Sequence, residues 1–446
     1  MQTYPQPATL SFFQALRFWL KLGFISFGGP AGQIAIMHKE LVEERAWISE
    51  KRFLHALNYC MVLPGPEAQQ LATYIGWLLH GSKGGVVAGL LFVLPSLLIL
   101  IALSWVYSAC GQQAWVMGLF YGIKPAVAAL VVQATHRIGS RTLRNPSLWM
   151  VAVAAFIALA VLDLPFPFIV LAAAGVGYLG GRCLPQHFSN TPKHAKTTAT
   201  PSQRKALIDD DSVRPDHARF RWSSLMRVLL VGALLWSLPM LALLHFFGWS
   251  HALTQMAWFF TKAALLTFGG AYAVLPYVMQ AAVEDYRWLS PSQMMDGLAL
   301  GETTPGPLIM VLAFVGFVGS YGLALFGADH LFLAGATAAI LVTWFTFLPS
   351  FIFILAGAPL IEASHEDVHL TAPLNAITAA VVGVIANLAL FFAFHVIWPE
   401  GFTHAPDFIA TGMSLAAAIA LLRYRVNVVW VIAVCALLGW FLRSLN

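Results

Sequence analysis

Long apolar stretches recur along the whole chain and leave few folds open to it. The clearest of them cover residues 85–109, 115–138, 147–162, 165–182, 225–247, 331–356, 372–397, 406–422 and 428–443. A helix needs about 20 apolar residues to cross a bilayer, and a chain in lipid must pair its backbone within helices or closed barrels. The alternating pattern of barrel strands is missing from the sequence. The sequence therefore predicts an all-α polytopic membrane protein.

The composition supports the same interpretation. Apolar residues make up 59% of the chain and charged residues only 10%, whereas about 25% of the residues in a soluble protein are charged. The mean hydropathy is +0.74. These values exclude a soluble enzyme, a disordered chain and a nucleic-acid binder, although the net charge is +5. Basic residues near segment ends are typical of a bacterial inner-membrane protein.

Cysteine and histidine patterns give no reason to expect a metal or another cofactor. The four cysteines, Cys60, Cys110, Cys183 and Cys435, stand far apart and form no ligand spacing. Residues 365–369 do match the HExxH pattern of zinc proteases. They lie in a polar connection, however, and not on an apolar helix. We interpret them as a solvated loop and expect His365→Ala to leave function intact.

One polar and basic segment, residues 184–222, interrupts the apolar pattern. Its excess of lysine and arginine predicts a cytoplasmic linker. It would separate an N-terminal repeat, residues 1–183, from residues 223–446. The second part would begin with an additional helix at 225–247 and continue as a C-terminal repeat.

The two parts share rare motifs at a constant shift of 241 residues (28 to 269, 64 to 305). The matched pairs are Lys21 and Lys262, Gly28-Gly29 and Gly269-Gly270, Trp47 and Trp288, and Pro64-Gly65-Pro66 and Pro305-Gly306-Pro307. Leu94-Pro95-Ser96 matches Leu348-Pro349-Ser350 after a short insertion. Apolar sequence would not match glycine, tryptophan and proline by chance at one shift, so we predict an internal repeat.

Basic residues predict that the two repeats have opposite orientations in the membrane. Arg137, Arg141 and Arg144 follow the second long apolar stretch of the first repeat, and the matching loop of the second has none. The next turn has the reverse bias, with Asp163 in the first repeat and Arg423 and Arg425 in the second. Because lysine and arginine favour the cytoplasmic side, the change of sign predicts inverted repeats.

Glycine and proline interrupt the first helices of each repeat, which predicts broken or re-entrant helices. Such breaks must face protein or a wet cavity, and matched breaks in inverted repeats are typical of transporter sites. A helix that restarts after Pro-Gly-Pro directs unpaired N–H groups and a partial positive charge at the break. The predicted oxyanion site comprises Gly28, Gly29, Pro30, Pro64, Gly65, Pro66, Gln70, Gly269, Gly270, Pro305, Gly306 and Pro307.

Charged residues beside these breaks have two interpretations each. Lys21 and Lys262 either extend toward the membrane surface or attract the anion, since lysine inside a membrane is costly and usually functional. Glu67 either stabilises the start of a helix or gains and loses a proton as the anion moves. Glu302 precedes the second Pro-Gly-Pro motif, so each half has one carboxylate beside its break, and Glu302 is the other candidate for proton coupling.

These motifs resemble the CHR family of chromate ion transporters. The resemblance rests on Phe27-Gly28-Gly29-Pro30, Trp47, Pro64-Gly65-Pro66, Gln70, Tyr74-Ile75-Gly76-Trp77 and Leu94-Pro95-Ser96. It extends over both halves, as in the long, two-domain form of the family. The second half departs from the pattern, because Ala271 follows Gly269-Gly270 and Leu308 stands where the first half has Glu67.

The resemblance implies a secondary active transporter that exports chromate, driven by protons, and gives chromate resistance. The expected partners are chromate or a sulfate-like oxyanion, protons and the lipid bilayer, and a homodimer is allowed. Two alternatives stay open, namely a transporter of sulfate or another oxyanion and a passive anion channel. No enzyme activity is expected.

Overall fold

Helices form the regular structure of the residues that the computed structural model describes, which are 10–27, 29–111, 113–183, 206–209, 216–363 and 371–444. In chain order they are α1 Phe12–Ile25, α2 Gly29–His38, α3 Glu50–Val62, α4 Glu67–Cys110, α5 Ala114–Thr142, α6 Pro146–Ala160, α7 Phe166–Cys183, α8 Trp222–Phe247, α9 Ala252–Leu266, α10 Ala271–Met279, α11 Pro291–Thr303, α12 Val311–Gly322, α13 Leu331–Ala363, α14 Thr371–Ile397, α15 Phe408–Leu422 and α16 Val428–Ser444. Each predicted apolar stretch coincides with one of these helices, and the stretches 147–162, 165–182 and 406–422 extend one or two residues beyond a helix end.

Six helices of the described chain are long and apolar enough to cross a membrane, namely α4, α5, α7, α8, α13 and α14. Their burial inside the protein differs. Only 17% of the most apolar window of α8 is buried, against 61% for α13 and α14. The apolar side chains of α8 therefore face outward, as lipid-facing residues do, while α13 and α14 lie inside the helix bundle. The prediction of an all-α polytopic membrane protein is confirmed.

Helix α4 folds back on itself near its first third. His80 and Gly81 have non-helical backbone angles, and Gly81 has a φ of +66°. A Cβ atom on Gly76 would lie 2.5 Å from the Cβ of Ala88, although residues 12 apart in a straight helix are about 18 Å apart. The two arms, residues 67–79 and 82–110, are therefore packed antiparallel.

Each half begins with two short helical hairpins. They are formed by α1 with α2, α3 with the first arm of α4, α9 with α10, and α11 with α12. The helices α2 and α10 both end in a π-helix, at Lys39–Glu44 and Gln280–Asp285. A residue with positive φ follows each π-helix, Ala46 at +51° and Arg287 at +54°. The same local geometry thus occurs at positions related by the shift of 241.

Part of the segment predicted as a polar linker packs onto the first half. The N–H of Ser49 donates to the carbonyl of Ile208 at 3.0 Å, and the N–H of Ile208 donates to the carbonyl of Trp47. The ring of His217 contacts Trp77 near the fold-back of α4. The segment is mostly polar, but its apolar residues Ile208 and Ala218 are buried. We call this end of the molecule the linker face and the other end the opposite face.

The later helices of the two halves of the chain pack against each other. Helix α5 contacts α14, α15 and α16, and α14 also contacts α6 and α7. The backbones approach closely at glycine, since a Cβ on Gly122 would lie 1.9 Å from the carbonyl oxygen of Cys435. Close packing at small residues replaces the hydrophobic driving force that helices lack in lipid. From this scaffold, Thr378 of α14 approaches the helix break at Gly269.

Candidate functional site

The hairpin tips of the two halves meet through reciprocal backbone hydrogen bonds. The N–H of Gly65 donates to the carbonyl of Thr267 at 2.7 Å. The N–H of Gly306 donates to the carbonyl of Ser26 at 2.8 Å. Each Pro-Gly-Pro motif therefore contacts the helix break of the other half. We call these four residues and the side chains packed against them the tip site.

Only glycine fits at the centre of each Pro-Gly-Pro motif. Gly65 has a φ of +126° and Gly306 a φ of +106°, angles that residues with a side chain rarely adopt. A Cβ on Gly65 would lie 2.3 Å from the Ser350 hydroxyl oxygen. A Cβ on Gly306 would lie 2.7 Å from the Cβ of Ser96. Both backbone conformation and contact therefore exclude larger residues.

The tip site is lined by neutral hydrogen-bonding groups, several of which have no partner. The amide of Gln70 donates to the carbonyl of Pro64 at 2.8 Å, and the amide of Gln33 donates to the carbonyl of Gly306. Four buried atoms lack a hydrogen-bond partner among the described residues, namely Oε1 of Gln33, Gln69 and Gln70 and Oγ of Ser96. An unpaired buried polar group costs about 1–3 kcal/mol, so these atoms are available to water or a ligand.

The backbone at the tips favours a negatively charged ligand. The carbonyls of Ser26 and Thr267, at the ends of α1 and α9, are already paired across the two halves. Helix α4 restarts at Glu67, and the first N–H groups of a helix have no partner within it. Helix N-termini carry partial positive charge and bind oxyanions without a full cation. The arrangement can thus hold a tetrahedral oxyanion by hydrogen bonds.

The two carboxylates near the tips have different surroundings. A Cβ on Gly270 would lie 4.0 Å from Oε1 of Glu67, so this carboxylate reaches the break of the other half. No hydrogen bond to Glu67 joins it to another described side chain. Glu302, in contrast, accepts a hydrogen bond from the hydroxyl of Tyr272. Glu67 is therefore the freer of the two carboxylates.

Arg137 supplies a positive charge near Glu302 that the sequence analysis assigned elsewhere. Its guanidinium carbon lies 5.7 Å from the centre of the Tyr272 ring. The sequence analysis grouped Arg137 with the basic residues that follow a spanning stretch, and the structure shows that α5 continues past it to Thr142. An arginine near the end of an apolar stretch resembles a boundary residue, although here it is part of the helix.

Neither lysine that was predicted to attract the anion has a contact with the tips among the described residues. Lys21 forms an ion pair with Glu40 at 3.0 Å, and its side chain is 54% exposed. Lys262 is partly buried on α9. The roles of both lysines in attracting the anion stay predictions. The ion pair with Glu40 gives Lys21 a second possible role, in stabilising the fold.

The remaining predicted residues follow the helix breaks. Gly29 starts α2 with a φ of +69° and Pro30 follows it. Gly269 has Thr378 of α14 at 3.4 Å from an added Cβ. Pro66 and Pro307 precede the restarting helical segments, and Pro305 precedes Gly306. Gly28 lies outside the described residues, as do residues 365–369.

The ion pair of Lys21 gives a test of its role. Glu40 lies outside the candidate spanning helices; burial raises its pKa, but hydrogen bonds from Lys21 and Arg45 outweigh this and lower the pKa below its usual value. A carboxylate whose pKa is lower in the folded state stabilises the fold at pH values above its unfolded-state pKa. This stabilisation is lost as the pH falls through the folded-state pKa. We expect Lys21→Gln to destabilise the protein by less than about 1 kcal/mol at pH 7 and not at acidic pH.

Thermal unfolding in detergent at both pH values would measure this effect, with the exposed Lys83→Gln as control. Transport by Lys21→Gln and Arg17→Gln would be compared in parallel. If Lys21 attracts the anion, Lys21→Gln weakens transport more than Arg17→Gln does. The opposite order would contradict that role.

Several residues of the tip site were not among the predicted site residues. They are Ser26, Gln33, Ser96, Thr267, Ser350 and Thr378. The sequence contained a repeated pattern that could have identified four of them. Ser96 and Ser350 end the repeated Leu-Pro-Ser motif, and Ser26 and Thr267 occupy matched positions before the paired glycines. Gln33 and Thr378 have no such signal.

The fold and the tip site define a polytopic membrane transport protein. The family model named Chromate transporter matches residues 13–178 and 254–440. The chain therefore belongs to the chromate transporter family, which is a family of transport proteins and not of enzymes.

Curated relatives agree with this assignment. A chromate transport protein of Pseudomonas aeruginosa is 34% identical over 97% of this chain and 93% of its own length. A probable chromate transport protein of Synechococcus elongatus is 28% identical over 84% of this chain and 82% of its own. A chromate transport protein of Cupriavidus metallidurans is 27% identical over 85% of this chain and 82% of its own. No solved structure matches the chain.

Proposed function

We propose that this chain is a secondary active transporter that exports chromate across the bacterial inner membrane and so gives chromate resistance. The family and the names of the curated relatives support chromate as the substrate. The observation that carries the mechanism is the reciprocal contact of the hairpin tips, because it joins both halves at one site. A site made by two halves changes when either half moves.

We infer further that the halves are inverted repeats with a cytoplasmic linker. One contact and one helix length support the inversion. The hairpin of α1 begins beside His80, whose ring N–H donates a hydrogen bond to the carbonyl of Leu10 near the linker face. The hairpin of α9 begins directly after α8, which starts next to the linker and is long enough to end at the opposite face. The first hairpins would thus enter from opposite sides.

In this proposal the oxyanion binds at the tips through the free N–H groups of the helical segments that restart after Pro66 and Pro307. The Ser96 hydroxyl and the second N–H of the Gln70 amide are the side-chain donors. Glu67 couples proton movement to transport, since its carboxylate reaches the break of the other half. Glu302 has the same role if its bond to Tyr272 opens. Sulfate has the same shape and charge as chromate, so hydrogen bonds of this kind do not separate the two anions.

Uptake of labelled chromate into everted membrane vesicles tests the substrate and the direction. The cytoplasmic face of such vesicles points outward, so an exporter accumulates chromate inside. We expect uptake in vesicles that contain the protein, inhibition by excess sulfate, and no uptake in vesicles that lack the protein. If folded, inserted protein takes up sulfate but no chromate, sulfate would replace chromate as the proposed substrate.

A further inference from the structure

A cavity lies at the opposite face, away from the tips. Its volume is about 430 Å³. It lies where α4 ends, where α5 and α11 begin, and where α12 and α16 end. The lining residues that matter here are Tyr107, Ser108, Lys124, Ser292, Asp296 and Arg443.

Polar atoms without partners face this cavity. Asp296 is only 3% exposed, and the Tyr107 hydroxyl donates to its Oδ2 at 2.9 Å. Its Oδ1 has no hydrogen-bond partner among the described residues, and neither has Oγ of Ser108. Buried polar atoms in proteins are almost always paired. Of the two atoms, the Ser108 hydroxyl can donate a hydrogen bond to an anion, whereas the Asp296 oxygen accepts and calls for a donor such as water.

The charges of the lining favour an anion. Lys124 and Arg443 are both basic, and Asp296 is the acidic residue of the lining. The guanidinium carbon of Arg443 lies 5.5 Å from the centre of the Tyr121 ring, and the Tyr121 hydroxyl donates to Asp407 instead of to the cavity. A concave site with excess positive charge concentrates anions from solution.

The equivalent place in the first half is filled. The shift of 241 relates Gln293 to Arg52, and the shift of 254 relates Glu362 to Ser108. Arg52 donates to Glu362 at 3.2 Å, and Tyr74 donates to the other oxygen of Glu362 at 2.6 Å. Both side chains of this ion pair are largely buried. The ion pair of Arg52 and Glu362 thus fills its position. At the related position, the smaller and uncharged pair of Gln293 and Ser108 leaves a cavity.

The cavity lies at the mouth of a hairpin that belongs to the tip site. Asp296 is on α11, eight positions before Thr304 at the break. At about 1.5 Å per residue, the cavity and the tip are about 12 Å apart along the helix. Tyr321 and Gly322 bring α12 back to the same cavity. An anion leaving the tips along this hairpin reaches the cavity next.

We propose that this cavity is a second anion-binding site, a vestibule in which Lys124, Arg443 and the Ser108 hydroxyl hold a tetrahedral dianion between the tips and the solution. The proposal rests on the proposed transport of an oxyanion. The Asp296 carboxylate opposes the bound anion and keeps its affinity low. Weak binding suits a site of passage, which an ion must both enter and leave.

Transport kinetics give the first test. In proteoliposomes that receive chromate on the side of the opposite face, we expect Lys124→Gln and Arg443→Gln to raise the half-saturating chromate concentration about threefold or more. The maximal rate should stay within about twofold of the unsubstituted protein. Lys83→Gln, an exposed lysine at the linker face, serves as the matched control and should change neither value. Unchanged half-saturation in both cavity variants would overturn the vestibule.

Charge-selective labelling gives a second test that needs no transport. Ser292→Cys would place a thiol in the cavity, in a background with Cys110→Ser and Cys183→Ser because Cys60 and Cys435 are buried. We expect a negatively charged methanethiosulfonate to react about fivefold faster than a positively charged one, and sulfate to slow the reaction. Lys124→Gln should remove both effects.

The two tests separate the vestibule from the proposed function. Equal reaction of both reagents, or no protection by sulfate, would overturn the anion site even in a protein that transports chromate. Charge-selective labelling with sulfate protection would support the vestibule in a protein that moves no chromate, and the proposed function alone would then fail.

Discussion

Gly306→Ala is expected to lower chromate transport about tenfold or more while the protein stays folded in the membrane. The φ of +106° at this position costs a residue with a side chain about 1–3 kcal/mol. The new Cβ would also lie 2.7 Å from the Cβ of Ser96, so the tip must move away from its partner in the other half. Initial uptake rates, divided by the amount of inserted protein, measure the effect.

Gly412→Ala is the matched control for this substitution. Gly412 lies on α15, and an added Cβ would meet no atom within 4 Å, so transport should stay at the level of the unsubstituted protein. Gly65→Ala should behave like Gly306→Ala, and Gly65→Leu and Gly306→Leu should be more severe. Normal transport by both alanine variants, at normal amounts in the membrane, would refute the tip site.

Glu67→Gln is expected to separate transport from the proton gradient. Its carboxylate lies beside Gly270 without a hydrogen-bond partner among the described side chains, so it is free to gain and lose a proton. Glutamine keeps the shape but does not titrate. We expect accumulation driven by a pH gradient to fall about tenfold or more, while chromate exchange between the two sides stays within about threefold.

Glu302→Gln and Glu400→Gln complete the comparison. Because Glu302 accepts a hydrogen bond from Tyr272, Glu302→Gln should lower proton coupling less than Glu67→Gln does. Glu400 lies in an exposed turn and should have none. If Glu67→Gln accumulates chromate normally with the gradient while Glu302→Gln does not, the coupling role belongs to Glu302.

Local chemistry explains why the helices and their breaks could be predicted. Proline lacks an N–H and glycine tolerates positive φ, so Pro-Gly-Pro interrupts a helix in any surroundings. The predicted arm that ends at residue 79 and the stretch that begins at 85 are both present, and Gly81 makes the turn between them. The repeated motifs also located the two tips.

Contacts between distant residues could not be predicted in the same way. The bond from Gly65 to Thr267 joins two halves whose packing depends on α5 and α14, and no local pattern encodes it. The contact of Arg137 with Tyr272 was missed for a related reason, because a basic residue near the end of an apolar stretch is usually interpreted only as a mark of the membrane boundary. Only the packed structure places it over Tyr272.

Purified protein in proteoliposomes, supplied with labelled chromate with and without an inside-acid pH gradient, tests the central claim most directly. Proton-coupled export predicts that chromate accumulates above its outside concentration only with the gradient, and that a protonophore abolishes the accumulation. Chromate that merely equilibrates at the same rate in both conditions, and never exceeds the outside concentration, would contradict the account and indicate a passive channel.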